Sequence, residues 1–232
     1  MNAVILKAEN VKAQYIVEYN KTELHVDAVS NVSIEVYGNE ILGIAGESGC
    51  GKSTFIRVLY GYVTPPLRIL NGRITLHTRE GKKYDIISLA TKRAGILSRE
   101  IWWRHMSYVP QAAQDVLNPT TRIKSHFVET FKKLGIEEEE ALRKTKEHLS
   151  SLGLPLDVLD AYPHQLSGGM RQRVVIALAT VFMPEVVFAD EPTSALDVVS
   201  QKAVLRMLRR LREEYKNSVI IVSHDMDVLG VV

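Results

Sequence analysis

Apolar residues are distributed along this chain in three rhythms. From residue 1 to about 40 they partly alternate with polar ones, over Asn10–Val17 and Ser30–Val36, with turn chemistry at Tyr37-Gly38-Asn39. Period two predicts half-buried β-strands there. Three short runs are nearly continuous instead: Ile41–Ala45, Val186–Ala189 and Ser218–Val222. Uninterrupted apolar strands belong in a sheet covered on both faces. A helical rhythm marks Ser53–Tyr60, Met170–Phe182 and Gln201–Tyr215, the last with Val204, Leu205, Leu208 and Leu211 on one side. Residues 120–160 also read as helical. Their acidic run Glu137–Glu140, followed by Arg143, Lys144 and Lys146, is the pattern of a solvated face with i,i+4 pairs. Asn71-Gly72 predicts a tight hairpin turn leading into a strand, Arg73–His77, and Ser107–Pro110 a further short strand. Residues 79–105 are charged and give no clear period. Strand–helix alternation of this kind predicts a parallel sheet flanked by helices.

The chain has 232 residues, enough for one domain with room for a subdomain. A formal net charge of +2 gives no global argument for nucleic acid. Cys50 is the only cysteine, so no intramolecular disulfide forms, which suits a reducing compartment. Met1–Asn10 lacks the pattern of a signal peptide. The longest apolar stretch, Val174–Met183, stops at Pro184. A bilayer span takes about 20 residues, so any membrane crossing falls to another chain.

The chemistry begins where the apolar runs end. Ile41–Ala45 leads into Gly46-Glu47-Ser48-Gly49-Cys50-Gly51-Lys52-Ser53-Thr54, which fits the phosphate-loop pattern G-x-x-x-x-G-K-[ST] and is followed by a helix. Glycines let backbone N–H groups turn inward onto phosphate oxygens, and the helix N-terminus adds partial positive charge. Lys52 is placed to reach the β- and γ-phosphates and Ser53 to ligate Mg²⁺. Val186–Ala189 ends in Asp190-Glu191, and Ser218–Val222 in Ser223-His224. Ligands of open parallel sheets sit at the carboxyl ends of the strands, so the three ends should share one crevice. There Asp190 suits Mg²⁺, directly or through water. Glu191 suits polarising an attacking water, and His224 bonding the γ-phosphate or placing that water. Ser167-Gly168-Gly169, opening the helix at Met170, is a second candidate anion site, with Ser167 as its cap. A composite site between two protomers, using the loop of one and this turn of the other, accounts for both.

Leu166-Ser167-Gly168-Gly169-Met170-Arg171-Gln172-Arg173 resembles the signature of ABC ATPases, and its spacing to Asp190–Asp197 and His224 is similar to that family's. The resemblance covers essentially the whole chain. It implies an α/β fold: a P-loop NTPase core with an N-terminal antiparallel β subdomain and an inserted helical subdomain. The core would hold residues 1–110 and 170–232, and the helical signature subdomain 111–169. It also implies two ATPs, with Mg²⁺, sandwiched head to tail between two such domains. By the resemblance, Gln111 senses Mg²⁺ and faces a transmembrane partner, Asp190 holds the metal, and Glu191 is the catalytic carboxylate. Asp197 belongs to the dimer-contact loop, His224 is the switch histidine, and Tyr15 stacks on adenine. Gly46–Ser53, Leu117-Asn118-Pro119 and Tyr162–Gly169 look like the oligopeptide/dipeptide/nickel importer branch. That branch pairs two ATPase subunits, alike or different, with two permeases and an extracytoplasmic solute-binding protein. It implies a peripheral subunit at the cytoplasmic face of the membrane, powering uptake of peptides or a related solute, with sugar or nickel also carried in the branch. The chain stops eight residues after His224, where members normally continue with further strands. The alternative is a soluble ABC ATPase acting on nucleic acid or ribosomes, which calls for a second cassette, zinc cysteines or a basic arm; none of these is in the sequence.

Overall fold

A computed structural model describes residues 3–20, 22–112, 115–226 and 230. Two sheets organise them. Strands β1 (Val4–Tyr19), β2 (Thr22–Tyr37), β4 (Leu67–His77) and β5 (Lys83–Asp85) form an antiparallel sheet in the order β2-β1-β4-β5. Strands β3 (Ile41–Ala45), β6 (Met106–Val109), β7 (Val186–Asp190) and β8 (Ser218–Ser223) form a parallel sheet in the order β3-β8-β7-β6. Helices α1 (Lys52–Tyr60), α2 (Ile86–Lys92), a short α3 (Ala94–Ile96) running into a π-helical turn (Leu97–Ile101), α4 (Ile123–Lys133), α5 (Glu138–Ser151), α6 (Gly168–Thr180) and α7 (Val198–Tyr215) complete the fold.

The continuous apolar runs behave as period-two strands inside a covered sheet. On β7, Val187 and Ala189 pack into the core formed with α4–α7. Val186 and Phe188 pack into the opposite core, with α1 and the antiparallel sheet. β8 does the same, with Val219 and Ile221 on one side and Ile220 and Val222 on the other. Every residue of both strands is buried. Each fully buried Val, Ile or Phe contributes about 1.5–3 kcal/mol, so these strands anchor the molecule. All four parallel strands run the same way, which brings the carboxyl ends of β3, β7 and β8 side by side.

The hairpin expected at Asn71-Gly72 is absent. β4 runs unbroken through both residues, and the β1–β4 register slips on either side of Lys12, opposite Asn71. Gly72, at φ 116°, lies so near β1 that a Cβ would come within 2.6 Å of Val11 Cα. Gly72 serves a bulge and a close backbone approach, the extra residue lying on β1 between Glu9 and Lys12, and its positive φ is the same freedom a turn would use. Residues 79–105, which lacked a clear period, form β5, α2, α3 and the π-helical turn.

Candidate nucleotide site

The phosphate loop is set by two steric facts. Gly51 is the N-cap of α1, at φ 97°, and a Cβ there would lie 2.1 Å from the carbonyl oxygen of Ala28 on β2. No larger residue fits without moving a strand. Gly51 also brings no side chain to cap α1, so the first N–H groups of the helix stay open toward the cleft. Lys52 is 8% exposed, and its ammonium donates to the carbonyls of Gly46 at 2.7 Å and Glu47 at 2.6 Å. Loop carbonyls are weak compensation for a buried cation; an anion entering the loop is a better partner.

The strand ends meet beside it. Asp190, fully buried at the end of β7, accepts from the Ser53 hydroxyl at 2.7 Å through Oδ1 and from the Tyr108 hydroxyl at 2.8 Å through Oδ2. Glu191 stands next, at φ 47°, with its backbone N–H bonded to Val222 on β8. Its Oε2 accepts from the Gln111 amide at 3.2 Å, and its Oε1 lies 3.2 Å from His224 Nδ1. Ser48, Gly49, Gly51, Lys52, Ser53, Thr54, Gln111 and Glu191 line a cleft of about 250 Å³. Larger cavities exist: one of about 560 Å³ is lined by Arg79, His105 and Glu185 among others, but none of the motif residues reaches it. Its buried carboxylate, Glu185, already accepts from Arg79 N and from the His105 ring, both at 2.8 Å. The motif residues gather at the smaller cleft.

The remaining candidates fall outside that cleft. Tyr15, on β1, shares a 2.9 Å hydrogen bond with Thr54 on α1, so its ring stands beside the loop. Ser167 caps α6 by accepting from Met170 N at 3.2 Å, and Gly169 packs against Ser200, where a Cβ would meet the Ser200 Oγ at 2.3 Å. Asp197 is the N-cap of α7, accepting from Val199 N and Ser200 N at 3.0 Å. Neither Ser167, Gly168 nor Gly169 lines the phosphate-loop cleft. Sequence reasoning missed Tyr108; the available signal was an aromatic residue near the polar end of a strand, three residues before Gln111.

The sequence of this chain matches the family model for the ABC transporter over residues 29–194. The chain belongs to the ABC transporter family. Among its relatives, the dipeptide transport ATP-binding protein DppD of Caldanaerobacter subterraneus subsp. tengcongensis is 38% identical over 97% of this chain and 66% of its own. DppD of Bacillus subtilis is 36% identical over 88% and 60%. The glutathione import ATP-binding protein GsiA of Salmonella typhimurium is 35% identical over 88% and 33%. The chain thus spans less than two thirds of the length of these relatives. Solved structures of the ATP-binding cassette MJ0796 share the fold. Its dimer bound to ADP and Pi superposes with a TM-score of 0.78 at 25% identity, covering 98% of this chain and 91% of that one. A second dimeric structure of the same cassette gives 0.77 at 26% identity. The expected fold class therefore stands.

Proposed function

We propose that this chain is the ATP-binding and hydrolysing part of an importer subunit whose cargo is a peptide or related small solute. The observation that carries the proposal is the buried Lys52 held by loop carbonyls at an uncapped helix N-terminus, with Asp190, Glu191, Gln111 and His224 at the neighbouring strand ends. In this reading Lys52 and the N–H groups of residues 46–54 bind the phosphates. Glu191 orients and polarises the attacking water, with Gln111 and His224 fixing its carboxylate. The transfer needs positioning and charge stabilisation, and no covalent intermediate.

The residues present fit Mg²⁺ delivered with the nucleotide. One buried carboxylate, Asp190, stands 2.7 Å from the Ser53 hydroxyl, and no group of three or more His, Cys, Asp or Glu placed to hold a metal ion exists among the described residues. That donor set is too sparse for a protein cage and suits an ion that keeps its waters and takes phosphate oxygens as ligands. When bound, Mg²⁺ would neutralise charge developing on the phosphates. Ser53 and Asp190 would hold it, with Gln111 at the edge of the cleft.

At about 250 Å³ the cleft is below the usual 300–1,000 Å³ of closed ligand sites, so the base and one face of the phosphates lie outside it. Tyr15 supplies a ring for the base. Ser167, Gly168 and Gly169 of a second ATPase subunit would close the open face, while residues 111–169 form the helical part that passes closure to transmembrane permeases. The names of the dipeptide and glutathione relatives support uptake of peptide-like solutes, with a solute-binding protein in the complete system. No helix among the described residues is long and apolar enough to cross a membrane, which agrees with a peripheral place on its cytoplasmic face. The rival assignment to nucleic acid or ribosomes has no support among the relatives named above.

Titration calorimetry with MgATP tests the assignment. Wild type should bind, and Lys52→Ala should weaken binding about a hundredfold by removing a charge-assisted contact worth roughly 2–3 kcal/mol. Equal affinity in the two proteins would refute the phosphate-loop role.

A further inference from the structure

Asp190 has two partners of different kinds. Ser53 belongs to the first turn of α1 and lines the cleft, so its hydroxyl is within reach of an arriving ligand. Tyr108 does not line the cleft. It lies on β6, the strand beside β7, in register with Phe188, and packs against the Tyr60 ring at 5.4 Å between centroids. Both strands are held in the parallel sheet, so the phenol approaches Asp190 from a fixed direction. Behind it stands Arg57 of α1, whose charge acts on the same phenol. A carboxylate only accepts, so the Tyr108 hydroxyl donates its proton to Asp190 Oδ2.

Were Ser53 to give up its bond to Asp190 in favour of a metal ion, Asp190 would keep only the Tyr108 hydroxyl as a partner. A buried carboxylate with a single bond and free torsion would turn. We propose that Tyr108 is a positioning residue for the metal step: its hydroxyl holds Oδ2 so that Oδ1 stays aimed at the place Ser53 shares with an incoming Mg²⁺. Partners of this kind set the orientation of a metal-binding group, and losing one typically weakens metal affinity about 10–100-fold. The inference rests on the nucleotide reading given above.

The test uses the full chain, a non-hydrolysable ATP analogue and MgCl₂, with binding measured across a Mg²⁺ titration and again in EDTA. Tyr108→Phe keeps the ring against Tyr60 and removes only the hydroxyl. The inference expects affinity in EDTA to stay within about twofold of wild type, while the Mg²⁺ concentration for half-maximal enhancement rises about tenfold. A half-saturating Mg²⁺ concentration equal to that of wild type overturns it. So does an equal loss in EDTA and in Mg²⁺, which is the mark of a merely structural role. Should Tyr108→Phe not fold, Tyr108→Met also removes the hydroxyl while filling the space, and its half-saturating Mg²⁺ concentration should rise by a similar factor, about tenfold; an unchanged midpoint there overturns the inference as well. Wild type that binds the analogue without any Mg²⁺ dependence instead contradicts the nucleotide reading itself, so the two failures are distinguishable.

Discussion

Two glycine-containing turns open helices in this molecule, and they solve the problem of the helix N-terminus in opposite ways. At α1 the cap is Gly51, which offers no side chain, and the open N–H groups face a cleft beside a buried lysine. At α6 the cap is Ser167, whose hydroxyl already serves Met170 N, and Gly169 is pressed onto Ser200. The first end has no side-chain cap; the second has one N–H group capped and is packed. A phosphate therefore adds something the α1 turn lacks, whereas at α6 it would supplement an existing cap. This difference fits a site assembled in two steps, with stable capture at the loop and weaker closure by the Ser167 turn of another copy.

The largest effect should come from the carboxylate proposed to activate water on the loop side. Glu191→Gln should retain ATP binding and lose hydrolysis by about 10²–10⁴-fold, since a carboxamide cannot polarise water as a carboxylate does. A pre-steady-state phosphate assay, with nucleotide affinity measured in parallel, checks both halves. Wild-type turnover in this variant would move the water-activating role elsewhere and leave the α1 cleft as a binding site only.

That loop side was the more legible one in the sequence. Its residues are fixed by strand ends, and the three apolar runs predicted the β3, β7 and β8 strands that bring Lys52, Asp190, Glu191 and His224 together. What escaped was neighbourhood without local signal. Tyr108 reaches Asp190 only because β6 pairs with β7, a strand order that no local pattern encodes. The Asn71-Gly72 bulge was read as a turn because positive φ serves either purpose, and only the position of Val11 decides. The Ser167 cap on α6 was legible as a serine opening a helical run, whereas Asp197 appeared as a contact residue by resemblance and its cap on α7 emerged from the geometry.

The α6 side has its own sensitivity to acid. His148 on α5 is 3% exposed and its Nε2 lies 3.0 Å from the Thr180 hydroxyl on α6. That hydroxyl donates to Ile176 O, so Nε2 carries the proton in the neutral ring. Burial lowers the His148 pKa from 6.5 to about 4. With the folded value depressed, the unfolded chain binds the proton first. Stability is complete above about pH 6.5 and falls as pH drops toward 4, by roughly 3 kcal/mol at 1.36 kcal/mol per unit. Denaturant midpoints of wild type and His148→Gln across pH 4–7 measure this; the wild-type slope should flatten in the variant. Equal slopes would show that acid acts elsewhere.

The smallest effect distinguishes the two turns directly. Ser167→Ala should lower unfolding free energy by about 1 kcal/mol through the lost cap, while single-copy MgATP affinity stays unchanged. Chemical denaturation and calorimetry report the two quantities separately. A large drop in affinity at concentrations where the protein is monomeric would place Ser167 in the same cleft as Lys52 and erase the contrast.

The central claim, that one copy supplies the loop and another the signature turn, is tested most directly by mixing two inactive variants. Lys52→Ala lacks the loop cation, and Ser167→Arg obstructs the turn. A mixed dimer has one site with both parts intact. If the site is shared, each variant alone is inactive, and an equimolar mixture at high concentration recovers ATP hydrolysis, up to about a quarter of the wild-type rate for random pairing in a two-fold dimer. A mixture as inactive as its components, with mixed dimers demonstrated in solution, would contradict the shared site.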